Sequence, residues 1–455
     1  MIGLVSLLVA CTGEEESASR GTPSEAPPRA PASVEAPKNE VITRRIDVAG
    51  VVASDLAEPI VGRSLVLVDS RGARHELVTG GDGSFVVPAV LPPYDVAVVP
   101  ASGPVTVHLG LYRSNPWIEL FEREGPTPSP ESRTIRVHVR APACDAPSCW
   151  ITAMTASPAG SGSTTAPCEP GADVTVVDVD HRWRGPSVPP GDRIDVHVLV
   201  GDAGRSSFAY GRVDAVAAAA DTVDVGMIEP APVPATDPIS IGVEGGAGAL
   251  TDWRWSTSVF LDLSGDSIGS DTGFLFMVAP AATTTVRAPL LPGVRMFANI
   301  AASHPRADGQ GGFHRSAEVW SGARALSVDP IMMEIAAGPE IVRPASGGTL
   351  SRRGLGFEWR SLGIAALSTL TVADTTRGSV RFRVSTTAQE VPFARLARLG
   401  LPKLELGDHV LDLSTAPRAS ADDAVSPDSL VRRQRSDRSR PGMTTYLRIP
   451  FQITN

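Results

Sequence analysis

Thr134-Ile135-Arg136-Val137-His138-Val139-Arg140 alternates β-branched apolar residues with charged and polar ones. A period of two puts Ile135, Val137 and Val139 on one face of a strand and Arg136, His138 and Arg140 on the other. One side is then buried and the other wet, as in an antiparallel sandwich. Arg193 to Val200 follows the same rule, with Ile194, Val196, Val198 and Val200 inward and Asp195 and His197 outward. On this phase His108, His138 and His197 are expected to be exposed and unligated.

From Val41 onward, similar short runs are separated by Gly, Pro, Asp and Ser, which predicts an all-β chain of tandem antiparallel β-sandwich domains. Three Pro-rich corners recur about a domain length apart: Leu91-Pro92-Pro93-Tyr94, Val188-Pro189-Pro190-Gly191 and Leu291-Pro292-Gly293-Val294. Each is followed by an alternating strand, and the later β runs end near Leu120, Met227 and Met333. A period of this size means repeated domains rather than a solenoid. Pro339-Glu340-Ile341-Val342-Arg343-Pro344 opens a different texture, with Phe357-Glu358-Trp359 as a strand with two inward aromatics and Thr445 to Ile453 as a closing strand. Pro392 to Leu399, ahead of Gly400, reads as a short helix.

The 455 residues suit several domains, and 43 Gly and 40 Pro fit turn-rich β structure rather than disorder. A net charge of −9 excludes a general nucleic-acid binder, whose affinity rests on neutralising phosphates. Only Lys38 and Lys403 are lysines.

Met1 to Ala10 is an apolar run, and Leu8-Val9-Ala10-Cys11 resembles a bacterial lipobox. The resemblance implies cleavage before Cys11, which would carry lipid (palmitate) and anchor the chain. A signal n-region needs Lys or Arg before the run and none stands there, so further residues upstream are expected. Thr12 to Glu40, with Glu14-Glu15-Glu16 and five prolines, is a tether with little to bury. Thr12 is not the aspartate that lipoproteins use for inner-membrane retention, so the resemblance implies the outer membrane, on its periplasmic or surface face.

Ile46 to Val52, Glu58-Pro59-Ile60-Val61-Gly62, Leu65 to Asp69, Thr79-Gly80-Gly81-Asp82-Gly83-Ser84-Phe85 and Tyr94-Asp95-Val96 resemble a carboxypeptidase regulatory-like domain of prealbumin-like fold. Asp82-Gly83 is expected as a hairpin turn with positive φ. In that family the module is an accessory sandwich without catalytic residues. The expected organisation is a signal and lipobox over 1–11, a tether over 12–40, this domain over 41–124, repeats over 133–229 and 238–336, and a sandwich that resembles fibronectin type III over 339–455.

Gly265-Asp266-Ser267-Ile268-Gly269 matches the G-x-S-x-G nucleophile elbow and the first block of GDSL hydrolases. The elbow needs a helix after the serine. Gly273 to Val278 is instead a β run, so a hairpin loop is expected and catalysis by Ser267 is the alternative. Asp262, Asp266 and Asp271 could offer carboxylates to Ca²⁺, but the D-x-[DN]-x-[DN]-G spacing is missing. Cys144, Cys149 and Cys168 fall in one repeat, and His181 nearby suggests zinc, but two tight C-x2-C pairs are absent. An exported chain favours a disulfide. Cys144 with Cys149, across the turn Asp145 to Ser148, is the expected pair, leaving Cys168 as a free or intermolecular thiol. Arg432, Arg433, Arg435, Arg438 and Arg440 form the one dense basic run, a solvated loop or a polyanion contact.

No phosphate loop, H-E-x-x-H or dinucleotide fingerprint occurs, so no cofactor is expected. The leading reading is a non-enzymatic, surface-anchored adhesion, scaffolding or binding module. Its expected partners are the membrane through the N-terminal lipid, and surface polysaccharide or another envelope protein. A carbohydrate or Ca²⁺-binding module and a Ser267 hydrolase are the alternatives.

Overall fold

The structure, a computed structural model, describes residues 44–455 except 55–57, 121–130, 142–148, 158–159, 169–172, 184–187, 190, 219, 245–251, 263–272, 306–312, 323, 327–328, 336–337, 361–365, 376–378, 402, 418–419 and 427–440. Cys11, the tether, Cys144, Ser267, Asp266, Asp271 and the arginines from Arg432 to Arg440 lie outside the described residues. The described chain is almost entirely β, in several sheets.

The first segment forms β1 (Ile46–Ser54), β2 (Ser64–Val68), β3 (Arg74–Val78), β4 (Ser84–Val90), β5 (Tyr94–Val99), β6 (Val105–Leu111) and β7 (Trp117–Leu120). β1 lies between antiparallel β4 and parallel β7, while the facing layer runs β3-β2-β5-β6. The second segment gives β8 (Ser132–Val139), β9 (Cys149–Ser157), β10 (Gly160–Pro167), β11 (Thr175–Trp183), β12 (Arg193–Asp202), β13 (Phe208–Ala217) and β14 (Thr222–Ile228), with β15 (Ala231–Val233) added beside β13. Here β8 lies between antiparallel β11 and parallel β14, and the other layer runs β10-β9-β12-β13.

The third segment repeats the plan with β16 (Ile239–Val243), β17 (Arg254–Asp262), β18 (Gly273–Ala279), β19 (Thr284–Val286), β20 (Arg295–Pro305), β21 (Phe313–Ser321), β22 (Arg324–Ala325) and β23 (Ile331–Met333). β16 lies between β19 and parallel β23, opposite β18-β17-β20-β21. All three segments thus share one strand order, and each contains a parallel pair of its first and last strands where a purely antiparallel sandwich was expected. The pair arises because the segment's two ends lie side by side.

The three corners stand at the same place in this order, entering β5, β12 and β20. In the second and third, Gly191 (φ +76°) and Gly293 (φ +75°) take the left-handed backbone open to glycine. Asp192 N–H donates to Pro189 O at 3.1 Å and Val294 N–H to Leu291 O at 3.3 Å, closing both turns. Gly83 has the expected positive φ, +71°. It does not close a hairpin, because β3 and β4 belong to different layers and the turn is a corner between them.

The last segment holds β24 (Glu340–Arg343), β25 (Thr349–Ser351), β26 (Phe357–Arg360), β27 (Ala366–Asp374), β28 (Ser379–Thr386), β29 (Glu390–Val391), the helix α1 (Phe393–Arg398), β30 (Gly407–Pro417), a 3₁₀ turn (Ala421–Val425) and β31 (Pro441–Thr454). A layer β24-β26-β29 faces a layer β28-β27-β30-β31, and β25 runs parallel to β31. Phe357 and Trp359 are buried between the layers as the sequence predicts. The indole N–H of Trp359 donates to Ser368 Oγ at 3.1 Å, so its polar edge is satisfied. Burial of each such ring contributes about 1.5–3 kcal/mol.

Neighbouring sandwiches are joined through sheet edges. β28 pairs in parallel with β6 of the first segment, and β31 pairs antiparallel with β21 of the third. One hydrogen-bonded sheet therefore runs β18-β17-β20-β21-β31-β30-β27-β28-β6-β5-β2-β3. Joining edges in this way removes exposed ladder groups that would otherwise template aggregation. The 3₁₀ turn strengthens the first junction: Ala421 and Val425 enter the first segment's core, and Asp422 Oδ1 accepts the backbone N–H groups of Tyr112 and Arg113, each at 2.9 Å. Met154, Leu199 and Phe208 of the second segment share a core with Val259, Phe276 and Ile300 of the third.

Candidate functional site

The predicted polar face of β8 is present. Arg136 makes two hydrogen bonds, both 2.9 Å, to the carboxylate of Asp178 on β11, His138 lies 3.0 Å from Asp224 on β14, and Arg140 pairs with Glu229. Arg136 holds Asp178 below the ordinary carboxylate range. This face is a closed ladder of exposed ion pairs, each worth at most about 1 kcal/mol.

Two of the three histidines expected in solvent are buried. His197 is 1% exposed because its face of β12, shared with Leu199, is covered by the third segment, and its Nδ1 lies 2.8 Å from the Tyr210 hydroxyl. His108 is likewise buried on β6, whose free edge is taken by β28. His181, on β11, is fully buried, with Nδ1 3.0 Å from Thr155 Oγ1 and Nε2 3.5 Å from Ser157 Oγ. Burial pushes the pKa of both His181 and His197 down to about 4.

Cys149 is bonded to Cys168, with Cα atoms 5.4 Å apart, so the expected Cys144–Cys149 pair is corrected. The reason is the β9–β10 hairpin, whose register sets Trp150 opposite Pro167 and brings Cys168 N–H to Cys149 O at 3.0 Å. The two sulfurs are then unavailable to zinc beside His181. Among the described residues no three His, Cys, Asp or Glu side chains converge as metal ligands. Asp262 is engaged by Arg295 at 2.7 Å. Around the undescribed Ser267, β17 and β18 pair antiparallel from Thr257↔Ala279 to Asp262↔Gly273, the hairpin expected there.

Sequence reading missed the solvent face of the shared sheet. On β17, Val259 and Leu261 enter the core, so Phe260 points outward. Its partner in register is Phe297 on β20, stacked at 5.0 Å between centroids and 6° between planes. Trp320 on β21 lies 5.6 Å from Phe260 and 6.0 Å from Phe297. Beside them Asn299 Nδ2 donates to Glu318 Oε1 at 2.8 Å. Phe260, Glu318 and Trp320 are half-buried, whereas Phe297 is buried at 4% exposure and backs the two accessible rings.

The face continues across the seam, where Glu318 stands opposite Thr444 and Ser316 opposite Tyr446. The Tyr446 hydroxyl donates to Asp412 Oδ1 at 2.6 Å, and Arg448 grips the same carboxylate at 2.6 and 2.8 Å. Burial, and then this carboxylate, raise the Tyr446 pKa, so the phenol stays protonated. From β17 to β30 the face crosses five strands, about 19 Å at the usual strand spacing. It offers rings for stacking flanked by fixed donors and acceptors, with each polar head held by a neighbour. That suits an uncharged or weakly charged hydroxylated polymer better than a small charged ligand. The signal was in the sequence as Phe260, Phe297 and Trp320, but only the pairing of three separated strands puts them together.

No family model matches the chain, and no curated protein matches it. Among solved structures it is similar to the Bacillus anthracis TIE protein at 6% identity and a TM-score of 0.15, covering 64% of this chain and 51% of that one, so that it spans about half of that protein's length. It is also similar to the major pilin subunit BcpA of Bacillus cereus at 10% identity and a TM-score of 0.14, covering 65% of this chain and 100% of that one. For a Streptococcal ancillary pilin the identity is 9% and the TM-score 0.15, with coverage of 66% and 100%. Superposition at these scores is poor, and the reading of function rests on the geometry.

Proposed function

We propose that the chain is a non-catalytic scaffold of the bacterial cell envelope, tethered to the outer membrane by lipid on Cys11, which adheres to surface polysaccharide through the face of Phe260, Trp320 and Tyr446, with Phe297 buried behind the first two rings. The observation that carries the reading is the aromatic triplet on the outer side of β17, β20 and β21, continuous with the Tyr446–Asp412–Arg448 cluster. Pyranose rings present apolar C–H faces that stack on indole and phenyl rings, while amides and carboxylates orient their hydroxyls. Such rings supply contact area at little conformational cost, because they have few rotamers to lose.

The welded sheet supports the scaffolding part of the reading. A face that spans two sandwiches binds an extended polymer without an ordering cost only if the sandwiches do not move apart, and the β21–β31 ladder holds them in register over Arg315↔Leu447 to Ser321↔Pro441. A glycan array probed with the full chain tests the reading. Retention of neutral or weakly acidic polysaccharides that is lost in Trp320→Ala, with far-ultraviolet circular dichroism unchanged, is the expected result. Equal retention by the variant removes the face from the account.

A further inference from the structure

A second site is independent of that face. In the last segment a cavity of about 260 Å³ opens beside α1. Its walls are Phe382, Leu396, Leu401 and Leu404, of which three belong to the buried core and Leu401 packs against it. The helix α1 lines the cavity with the apolar Phe393 and Leu396 and with the small Ala394 and Ala397. The rim carries Arg352, Arg353 and Lys403. Arg352 is aimed by its Nε–H, which donates to Leu404 O at 2.6 Å. Among the described residues no carboxylate lines the cavity, and neither the Arg353 guanidinium nor the Lys403 ammonium is paired with one. Leu355, next to the lining residue Gly354, is 74% exposed, and Leu406, two residues beyond Leu404, is 50% exposed.

We propose that this cavity binds a single-chain anionic amphiphile, the hydrocarbon entering between α1 and β28 and the carboxylate or phosphate head resting among Arg352, Arg353 and Lys403. Charge and polarity are complementary end to end: an apolar interior takes the chain, and three cations that have no acidic partner among the described residues take the head. The volume of about 260 Å³ lies just below the roughly 300–1,000 Å³ usual for small-molecule sites, which limits the chain to short or medium length. The structural alternative, a packing defect, does not explain why the cations gather at its mouth.

Lys403 provides a direct probe, since Lys38 is the chain's only other lysine. Full chain with Cys11→Ser, reductively methylated with ¹³C, is titrated with decanoate and, separately, with decanol and with anionic phospholipid vesicles. The expected result is a saturable shift of the Lys403 resonance with decanoate, none at Lys38, and weaker binding of decanol. Lys403→Gln and Arg353→Gln should each weaken decanoate roughly two- to fivefold, read by calorimetry. Ala397→Trp, a substitution at an exposed helix position, should fill the mouth and abolish the binding. A shift with decanoate alone assigns a free amphiphile, and the same shift with vesicles assigns a bilayer lipid as the source. No saturable shift with either, equal affinity for decanol, or binding retained in Ala397→Trp overturns the proposal.

Discussion

The Arg395 guanidinium donates to both oxygens of Asp95, at 2.7 and 2.6 Å, across 300 residues of sequence. Asp95 Oδ1 also accepts Gly110 N–H at 3.0 Å, and Asp95 is nearly inaccessible to solvent. The pair locks α1 of the last sandwich onto β5 of the first, beside the β6–β28 ladder. It also raises the Arg395 pKa, as expected for a cation held by a buried carboxylate.

Arg395→Met should therefore leave a buried charge without its partner and cost about 3 kcal/mol. A double-mutant cycle with Asp95→Asn, followed by urea unfolding, should give a coupling of at least about 1 kcal/mol. Additive losses would mean that the two sandwiches are joined by strand pairing alone.

Non-reducing peptide mapping should recover Cys149 linked to Cys168. Their 19-residue separation gives a ring whose closure contributes about 3 kcal/mol in the chain-entropy model, so Cys168→Ser should lower the stability of the second segment by that order. A Cys144-linked peptide would contradict the hairpin register.

Acid should weaken the second segment first. His181 and His197 have folded pKa values of about 4 against about 6.5 in the unfolded chain, so the unfolded state binds more protons between these limits. Their contribution is fully present above about pH 6.5 and declines as pH falls towards 4, by at most roughly 1.4 kcal/mol per pH unit for each histidine. Urea titrations at pH 7, 6 and 5, read by hydrogen exchange of β9 and β12 peptides, should show this slope, and His197→Gln should flatten it. An unchanged slope would place the proton uptake elsewhere.

What was legible in the sequence was local. Alternation identified β8 and β12, the Pro-rich corners marked equivalent turns in three segments, and Phe393, Leu396 and Gly400 outlined α1, because each signal depends on neighbours in the chain. What was not legible came from distant partners. His197 has a polar-phase position, yet its face is covered by another sandwich. Cys149 meets Cys168 through a hairpin register, although a turn to Cys144 is shorter. The aromatic face needs Phe260, Phe297 and Trp320 from three strands, and no periodicity within one strand announces it.

The central claim is that polysaccharide is held by stacking on the outer face of β17, β20 and β21. The most direct measurement is calorimetric titration of the full chain and of Trp320→Ala with the polysaccharide retained on the array, at low salt and at 1 M, where charge interactions are screened beyond about 3 Å. The account predicts that wild-type affinity changes little with salt and that Trp320→Ala binds about thirtyfold more weakly, the loss of roughly 2 kcal/mol expected of a central aromatic anchor. Affinity that collapses in salt and is unaffected by Trp320→Ala would contradict it, and would assign binding to the basic run from Arg432 to Arg440.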